Sequence, residues 1–195
     1  LQTNAPQFLT QKIYLDAYPI IKSGSTYLSP ATNKKIIEAF QSNAGFIHFM
    51  GHGSENGWTD EKVFTINDIV ALNNKSNLPI LLTATCQFAK FDNPYILSGA
   101  EALLCSDKGG AQAIIGASRP VFQNSNFNFG KLFYSILLDN LANPNFRLGD
   151  LLKNIKNSSW NSLSNRNILL FYIALKSKTN ESKINTDVSD VTHVE

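Results

Sequence analysis

Three short and almost uninterrupted apolar stretches occur along the chain, at residues 46–50, 79–85 and 113–118. Runs of this length and continuity are typical of β-strands that are covered on both faces. Two weaker candidate strands lie at residues 12–16 and 168–175. The pattern therefore predicts a sheet whose central strands are buried.

Segments with helical spacing of apolar residues separate these strands. The predicted helices lie at residues 33–42, 66–73, 98–107, 127–141 and 148–157. Strands that alternate with helices favour parallel pairing, because each helix returns the chain to the same end of the sheet. The sequence predicts an α/β sandwich with a mainly parallel sheet over residues 5–175, followed by a polar tail or linker at 176–195.

Composition and charge exclude several classes of protein. The 195 residues are 43% hydrophobic and 16% charged, which is ordinary for one globular domain. The net charge of +2, without a Lys/Arg cluster, argues against a nucleic-acid partner. No apolar run reaches the roughly 18 residues of a membrane-spanning helix. The first residue is Leu and no signal-peptide pattern follows it, so we expect a processed protein or a piece of a longer one.

A histidine flanked by two glycines follows the first buried strand, as Gly51-His52-Gly53. Flanking glycines let the backbone turn sharply and approach another chain closely, so His52 is expected at the edge of the sheet. A tight turn that merely contains a histidine is an equally good interpretation of this segment alone. His48 lies inside the strand and is interpreted as a core residue.

The second buried strand ends at a cysteine, Cys86. An isolated cysteine is usually a small buried hydrophobe, and Cys105, on the apolar side of a predicted helix, is interpreted in that way. Two cysteines are too few for a disulfide framework, and the spacings of a metal site are absent. If Cys86 is reactive, a bridge to Cys105 is disfavoured.

His52 and Cys86 together form a candidate catalytic pair. Sites in parallel sheets form beyond the carboxyl ends of the strands, and neighbouring strands lie about 4.8 Å apart. A thiol needs a base or a cationic neighbour to become a strong nucleophile near neutral pH, and a histidine can also protonate the leaving amine. The backbone N–H groups of Gly53 and Cys86 are the candidates for stabilising an oxyanion. This chemistry requires no cofactor and no metal.

Motifs along the chain resemble, in order, those of the gingipain family of cysteine peptidases. They are Gly51-His52-Gly53-Ser54, Gly57-Trp58, Leu78-Pro79, Thr83-Ala84-Thr85-Cys86 and Phe91-Asp92. Other segments are similar to one branch of that family, the cell-surface sortase of the type IX secretion system. These are Lys12-Ile13-Tyr14-Leu15-Asp16-Ala17-Tyr18-Pro19, Phe91-Asp92-Asn93-Pro94, Gly99-Ala100-Glu101, Gly109-Gly110-Ala111, Ser118-Arg119 with Asn126, and Arg147-Leu148-Gly149-Asp150.

The resemblance implies a caspase-like three-layer sandwich with His52 and Cys86 as the catalytic dyad and Gly53 beside the oxyanion. It implies an exported enzyme at the cell surface or outer membrane that removes C-terminal secretion signals from polypeptides and can pass the acyl group to an amine. C-terminal signal domains and other type IX secretion components are the implied partners. In the family a preceding half-domain is the expected source of a carboxylate that orients the histidine, and here Asp16 or Glu55 is the candidate substitute.

Four further residues are candidates for the surroundings of the site. Trp58 is a candidate wall of the substrate cleft and Glu55 a candidate partner of the imidazole, with ordinary loop roles as the alternatives. In caspase-like folds the segment at Ser118 and Arg119 lines the pocket for the residue before the cut. An arginine there favours an acidic, polar or terminal-carboxylate group, whereas a surface salt bridge is an equally good interpretation. Asp92 is interpreted as a loop cap.

Three functions are compatible with these residues. The first is a peptidase or transpeptidase that acts through a thioester on Cys86. The second is a gingipain-like general endopeptidase with water as the acceptor. The third is a non-catalytic binding module on a peptidase fold.

Overall fold

A computed structural model describes residues 8–159, 171–176 and 190–194, with the backbone alone for residues 171 and 190–194. The helices are α1 (Pro30–Gln41), α2 (Ile66–Ala71), α3 (Gly99–Cys105), α4 (Gln123–Asp139) and α5 (Leu148–Ser159). The strands are β1 (Leu9–Ile13), β2 (Ile21–Ser23), β3 (Thr26–Leu28), β4 (Phe46–Met50), β5 (Gly53–Ser54), β6 (Gly57–Trp58), β7 (Phe64–Thr65), β8 (Ile80–Ala84), β9 (Ala113–Ala117), β10 (Phe171–Leu175) and β11 (Asp190–Val194).

Within the described residues, six strands form the main sheet in the order β1-β11-β4-β8-β9-β10. The pairs from β1 to β9 are parallel, and β10 is antiparallel to β9. Two small antiparallel sheets, β2–β3 and β5–β6–β7, accompany it. The prediction of an α/β fold is confirmed. The prediction of mainly parallel pairing is not confirmed, because antiparallel pairs occur in all three sheets of the described residues.

Alternate residues of β4 divide between two cores. Ile47 and Phe49 are fully buried on one face of the sheet together with Phe40 of α1. Phe46 packs on the other face against Phe133 of α4, with ring centroids 6.4 Å apart. Because successive side chains of a strand point to opposite faces, helices cover both sides of the central strands. This explains why the central strands appear in the sequence as continuous apolar runs.

The ends of several elements differ from the sequence prediction. The first strand lies earlier than residues 12–16, because β1 ends at Ile13 and a 3-10 turn, Leu15–Ala17, follows. Helix α4 begins at Gln123, before the predicted start at residue 127. Of the predicted strand at 168–175, residues 171–175 form β10, and residues 168–170 lie outside the described residues.

Residues 190–194 were predicted to belong to a polar tail, and this prediction is wrong for them. They form β11, which pairs in parallel with both β1 and β4. Val191, Thr192 and Val194 are β-branched, which favours a strand. Five residues within a polar stretch are too short a signal to distinguish from a tail.

Candidate active site

The carboxyl ends of β4, β8 and β9 lie at the same edge of the sheet because these strands are parallel. In the β4–β8 register Met50 lies opposite Ala84, and the Gly51 N–H donates to the Ala84 carbonyl oxygen at 3.4 Å. His52 and Cys86 each follow two residues beyond this register pair. The fold therefore places both residues at equivalent positions beyond two adjacent strands.

Cys86 lies at a sharp reversal of the chain. Gln87 has φ +56°, a left-handed conformation that costs a non-glycine residue about 1–3 kcal/mol. Burial of Phe88 and a hydrogen bond of 3.2 Å from the Ala89 N–H to the Ala117 carbonyl oxygen stabilise the reversal. Cys86 remains half-buried, and its thiol donates weakly to the Val121 carbonyl oxygen, with Sγ and oxygen 3.7 Å apart.

The exposed His52 immediately precedes a hairpin formed by β5 and β6, residues 53–58, which we call the histidine hairpin. The Thr59 N–H donates to the His52 carbonyl oxygen at 3.0 Å, and Gly53 lies opposite Trp58. This arrangement makes Gly53 and Trp58 a non-hydrogen-bonded pair, so the Gly53 N–H points away from β6. That orientation suits a group that donates to a substrate.

Gly53 lies directly against Thr85, the residue before Cys86. A Cβ atom at position 53 would lie 2.3 Å from Thr85 Oγ1 and 3.2 Å from the Gly57 carbonyl oxygen. Thr85 is fully buried, and its hydroxyl has no hydrogen-bond partner among the described residues. Only a glycine fits this approach, which brings the histidine hairpin against the residue that follows the end of β8.

Trp58 lies in the hydrophobic core, which contradicts its interpretation as a wall of the cleft. The residue is fully buried, and its ring stacks on Phe49 with centroids 4.2 Å apart and planes at 6°. It also contacts the rings of Phe64 and Phe88, at centroid distances of 4.7 and 5.6 Å. With all faces of the ring packed, Trp58 attaches the histidine hairpin to the core and offers no surface to a substrate.

The Glu55 carboxylate binds the loop that follows Cys86. Oε1 accepts from Lys90 Nζ at 2.6 Å and Oε2 accepts from Asn93 Nδ2 at 2.8 Å. The hydrogen bond from Lys90, then that from Asn93, holds the pKa of this carboxyl below its ordinary value of 4.5. None of the hydrogen bonds described for Glu55 reaches His52, so the structure does not support a direct role in orienting the imidazole.

Arg119 is paired with Asp92 at the same edge of the sheet. Its Nη1 donates to Asp92 Oδ1 at 3.0 Å, Nη2 donates to Oδ2, and Nη1 also donates to the Ser118 carbonyl oxygen at 2.8 Å. The hydrogen bond from Arg119 lowers the pKa of Asp92. This geometry agrees with the salt-bridge interpretation of Arg119 and makes Asp92 its bidentate partner rather than a loop cap. The charge of the guanidinium is thus already paired with a carboxylate of this chain.

Two other residues from the sequence analysis lie away from the pair. Asp16 is exposed in the turn after β1, and β11 lies between β1 and the strand that leads to His52. Cys105 was interpreted as buried, but it is the last residue of α3 and is exposed, because the helix ends there. Both Cys86 and Cys105 are free thiols.

Asn126 is a site residue whose role the sequence did not reveal. It is 6% exposed on α4, and its Nδ2 donates to the Ala84 carbonyl oxygen at 2.9 Å. The same carbonyl accepts from the Gly51 N–H, so Asn126 fixes the backbone just before Cys86. Asn126 and Ala84 are 42 positions apart, a separation at which local spacing gives no signal. Only its place in a family motif singled it out.

No metal site and no membrane helix is found in the described part of the chain. Among residues 8–159, 171–176 and 190–194, no group of three or more His, Cys, Asp or Glu side chains is arranged to hold a metal ion. No helix in the same ranges combines the length and the hydropathy that crossing a membrane requires.

Acid is expected to destabilise the loops around the site. The pKa values of Glu55 and Asp92 are lowered in the fold, first by hydrogen bonds from Lys90 and Arg119 respectively. Such carboxyls contribute stability that is fully present above their unfolded pKa values and is lost as the pH falls through the folded values. The melting temperature should therefore begin to fall below about pH 4.5, and more steeply than in a Glu55→Gln/Asp92→Asn variant. Equal slopes in the two proteins would contradict this account.

Comparisons with known proteins agree with this architecture. The crystal structure of the Arg-specific cysteine proteinase gingipain R (RgpB) is similar to this fold with a TM-score of 0.62 and 21% identity, over 84% of this chain and 38% of that one. The complex of the Porphyromonas gingivalis RgpB pro- and mature domains gives a TM-score of 0.61 and 20% identity, over 84% and 39%. The chain thus spans less than half the length of these solved structures.

Sequence comparison identifies the family. A search among curated proteins found no match. The sequence model of Peptidase family C25 matches residues 1–186, which is nearly the whole chain. The chain therefore belongs to peptidase family C25, the gingipain family of cysteine peptidases.

Proposed function

We propose that this chain cleaves polypeptides with Cys86 as the nucleophile and His52 as the proton-transfer partner. The observation that carries the proposal is the β4–β8 register, in which both residues follow two positions beyond the Met50–Ala84 pair. Sites in parallel sheets form at such strand ends. The contact between Gly53 and Thr85 supports it, because it holds the two strand ends together. Family membership supports the reaction class.

The proposed reaction passes through a thioester. His52 takes the proton of the Cys86 thiol, and the sulfur attacks the peptide carbonyl carbon. The N–H groups of Gly53 and Cys86 stabilise the oxyanion. The C–N bond then breaks, and the imidazolium gives its proton to the leaving amine. Water or a second amine attacks the thioester, His52 accepts the proton of that nucleophile, and the thiol is restored as the acid or the new amide leaves.

The thiol must change its contact for this reaction. In the structure its sulfur faces the Val121 carbonyl oxygen at 3.7 Å. Hydrogen bonds of substrate-free catalytic sites often tighten only when the substrate binds. We expect the sulfur to leave this carbonyl for the imidazole when a peptide occupies the site.

The finer assignment is a cell-surface transpeptidase that removes C-terminal secretion signals from exported polypeptides. It is supported by the segments between Lys12 and Asp150 that resemble the sortase of the type IX secretion system. In that role the enzyme acts outside the cell, beside other components of the system. The helices on both faces of the sheet agree with the caspase-like sandwich that the resemblance implies.

Product analysis tests the reaction and separates transfer from hydrolysis. The reduced protein is incubated with a polypeptide that carries a C-terminal signal domain, with and without hydroxylamine, and the cut ends are identified by mass spectrometry. Hydroxylamine can trap the thioester in either case, so the main product decides. Transfer predicts slow cleavage without the amine and a hydroxamate that becomes the main product as hydroxylamine is raised, whereas hydrolysis predicts full cleavage without the amine and the free carboxylate as the main product. If intact, reduced Cys86 supports no cleavage, the proposal fails and a binding module is favoured.

A further inference from the structure

The turn of the histidine hairpin is held by three hydrogen bonds that all involve Glu55. The carboxylate accepts from Lys90 and Asn93, at 2.6 and 2.8 Å. The Glu55 carbonyl oxygen accepts from the Gly99 N–H at 2.7 Å. Lys90 and Asn93 belong to the loop at residues 87–98, which begins directly after Cys86 and leads into α3. We call this set of contacts the Glu55 clamp.

The Glu55 clamp is less exposed than the other ion pairs of the described residues. The side chains of Lys90 and Glu55 are 25% and 14% exposed, against 42% and 45% for Lys35 and Glu38 on α1. Solvent and salt screen a partly buried pair less than an exposed one. Removing one partner also costs the other a hydrogen bond in a place that is only partly open to water. The Glu55 clamp is therefore suited to fixing a distance, which an exposed pair is not.

The same short loop segment also binds the loop that follows β9. Asp92, between Lys90 and Asn93 in sequence, binds Arg119, which follows β9. Segment 90–93 thus joins the loops that follow β4, β8 and β9. In the sheet, β8 lies between β4 and β9. Cys86, which follows β8, therefore lies between the loop that carries Glu55 and the loop that carries Arg119.

We propose that Glu55 is a positioning residue that sets the distance between His52 and Cys86 through the Glu55 clamp. The inference rests on the proposed catalytic roles of this pair. Glu55 lies three residues after His52 and binds the loop that starts at Cys86, so it determines how the two chain segments approach each other. It acts without touching the imidazole. A misplacement of about 1 Å in such a pair can cost about 100-fold in rate.

A charge exchange tests this role. Glu55→Lys places two cations together and Lys90→Glu places two carboxylates together, so each is expected to lower kcat by about 10- to 100-fold with little change in KM. The double exchange Glu55→Lys/Lys90→Glu restores opposite charges, and Asn93 can then accept through its Oδ1. We expect it to recover kcat to within about tenfold of the original chain. The matched control is the exchange Lys35→Glu/Glu38→Lys on α1, which should leave kcat unchanged.

Two results would overturn the inference. One is an active parent protein whose kcat is unaffected by either single substitution. The other is a double exchange that folds, by circular dichroism, but recovers no activity. Hydrogen exchange of the Gly99 amide gives a readout independent of turnover, and should be faster in each single variant and slow again in the double. If the parent protein is inactive, the proposed function fails, but this pattern of hydrogen-exchange rates still supports the Glu55 clamp. A Gly99 hydrogen-exchange rate that is the same in the parent and in both single variants overturns the Glu55 clamp itself.

Discussion

Replacing Cys86 with alanine is expected to reduce peptide cleavage to the limit of detection. Nucleophile removal in comparable hydrolases costs on the order of 10⁶ in kcat, so a loss of at least about 10³-fold should be measurable here. The Cys86 side chain is half-buried and its thiol makes only a weak contact with the Val121 carbonyl oxygen. The melting temperature should therefore change little. The measurement is the initial rate of peptide cleavage under reducing conditions.

The matched control is Cys105→Ala. Cys105 is also a free thiol, but it is exposed at the end of α3 and lies away from the edge that carries Cys86. This variant should keep the full rate. A Cys86→Ala protein that retains more than about a tenth of the rate would show that another group is the nucleophile.

Substituting Gly53 with alanine is expected to lower kcat by about 100-fold. The new Cβ would lie 2.3 Å from Thr85 Oγ1, a distance that real Cβ atoms essentially never show. The histidine hairpin must therefore move away from the end of β8, which separates His52 from Cys86 and displaces the Gly53 N–H. The measurement is kcat together with the melting temperature, which separates a local displacement from unfolding.

A second substitution and a control sharpen this test. Thr85→Ala removes both Thr85 atoms near the new Cβ, so Gly53→Ala/Thr85→Ala should recover part of the rate. Recovery should be incomplete, because the Gly57 carbonyl oxygen remains 3.2 Å away. Gly149→Ala is the control, since a Cβ there meets nothing within 4 Å. Equal rates for the Gly53 and Gly149 variants would contradict the close approach.

The sequence was most informative where burial imposes a continuous pattern. β4, β8 and β9 are covered on both faces, so their apolar runs predicted these strands. The ends of the runs also predicted that His52 and Cys86 lie at the edge of the sheet where the parallel strands end. The α/β fold followed from the alternation of these strands with helices. β11 could not be predicted in the same way, because its five residues owe their place to pairing with β1 and β4 rather than to a local apolar pattern.

The surroundings of the pair depended on contacts that local sequence does not encode. Trp58 follows a glycine in a polar loop, yet it is fully buried because Phe49 of β4 and Phe88, which lies 30 positions after Trp58 in the loop that follows Cys86, pack against its ring. Glu55 is near His52 in sequence, but its partners Lys90 and Asn93 lie 35 and 38 positions away. In both cases tertiary partners, rather than sequence neighbours, determine what the side chain does.

The most direct test of the central claim is the rate of alkylation of the two cysteines by iodoacetamide near neutral pH. Accessibility alone favours Cys105, which is exposed, over the half-buried Cys86. If His52 activates the thiol, Cys86 should react faster than Cys105, and His52→Ala should slow Cys86 at least about tenfold without affecting Cys105. Faster reaction at Cys105, together with a Cys86 rate unchanged by His52→Ala, would contradict the catalytic pair.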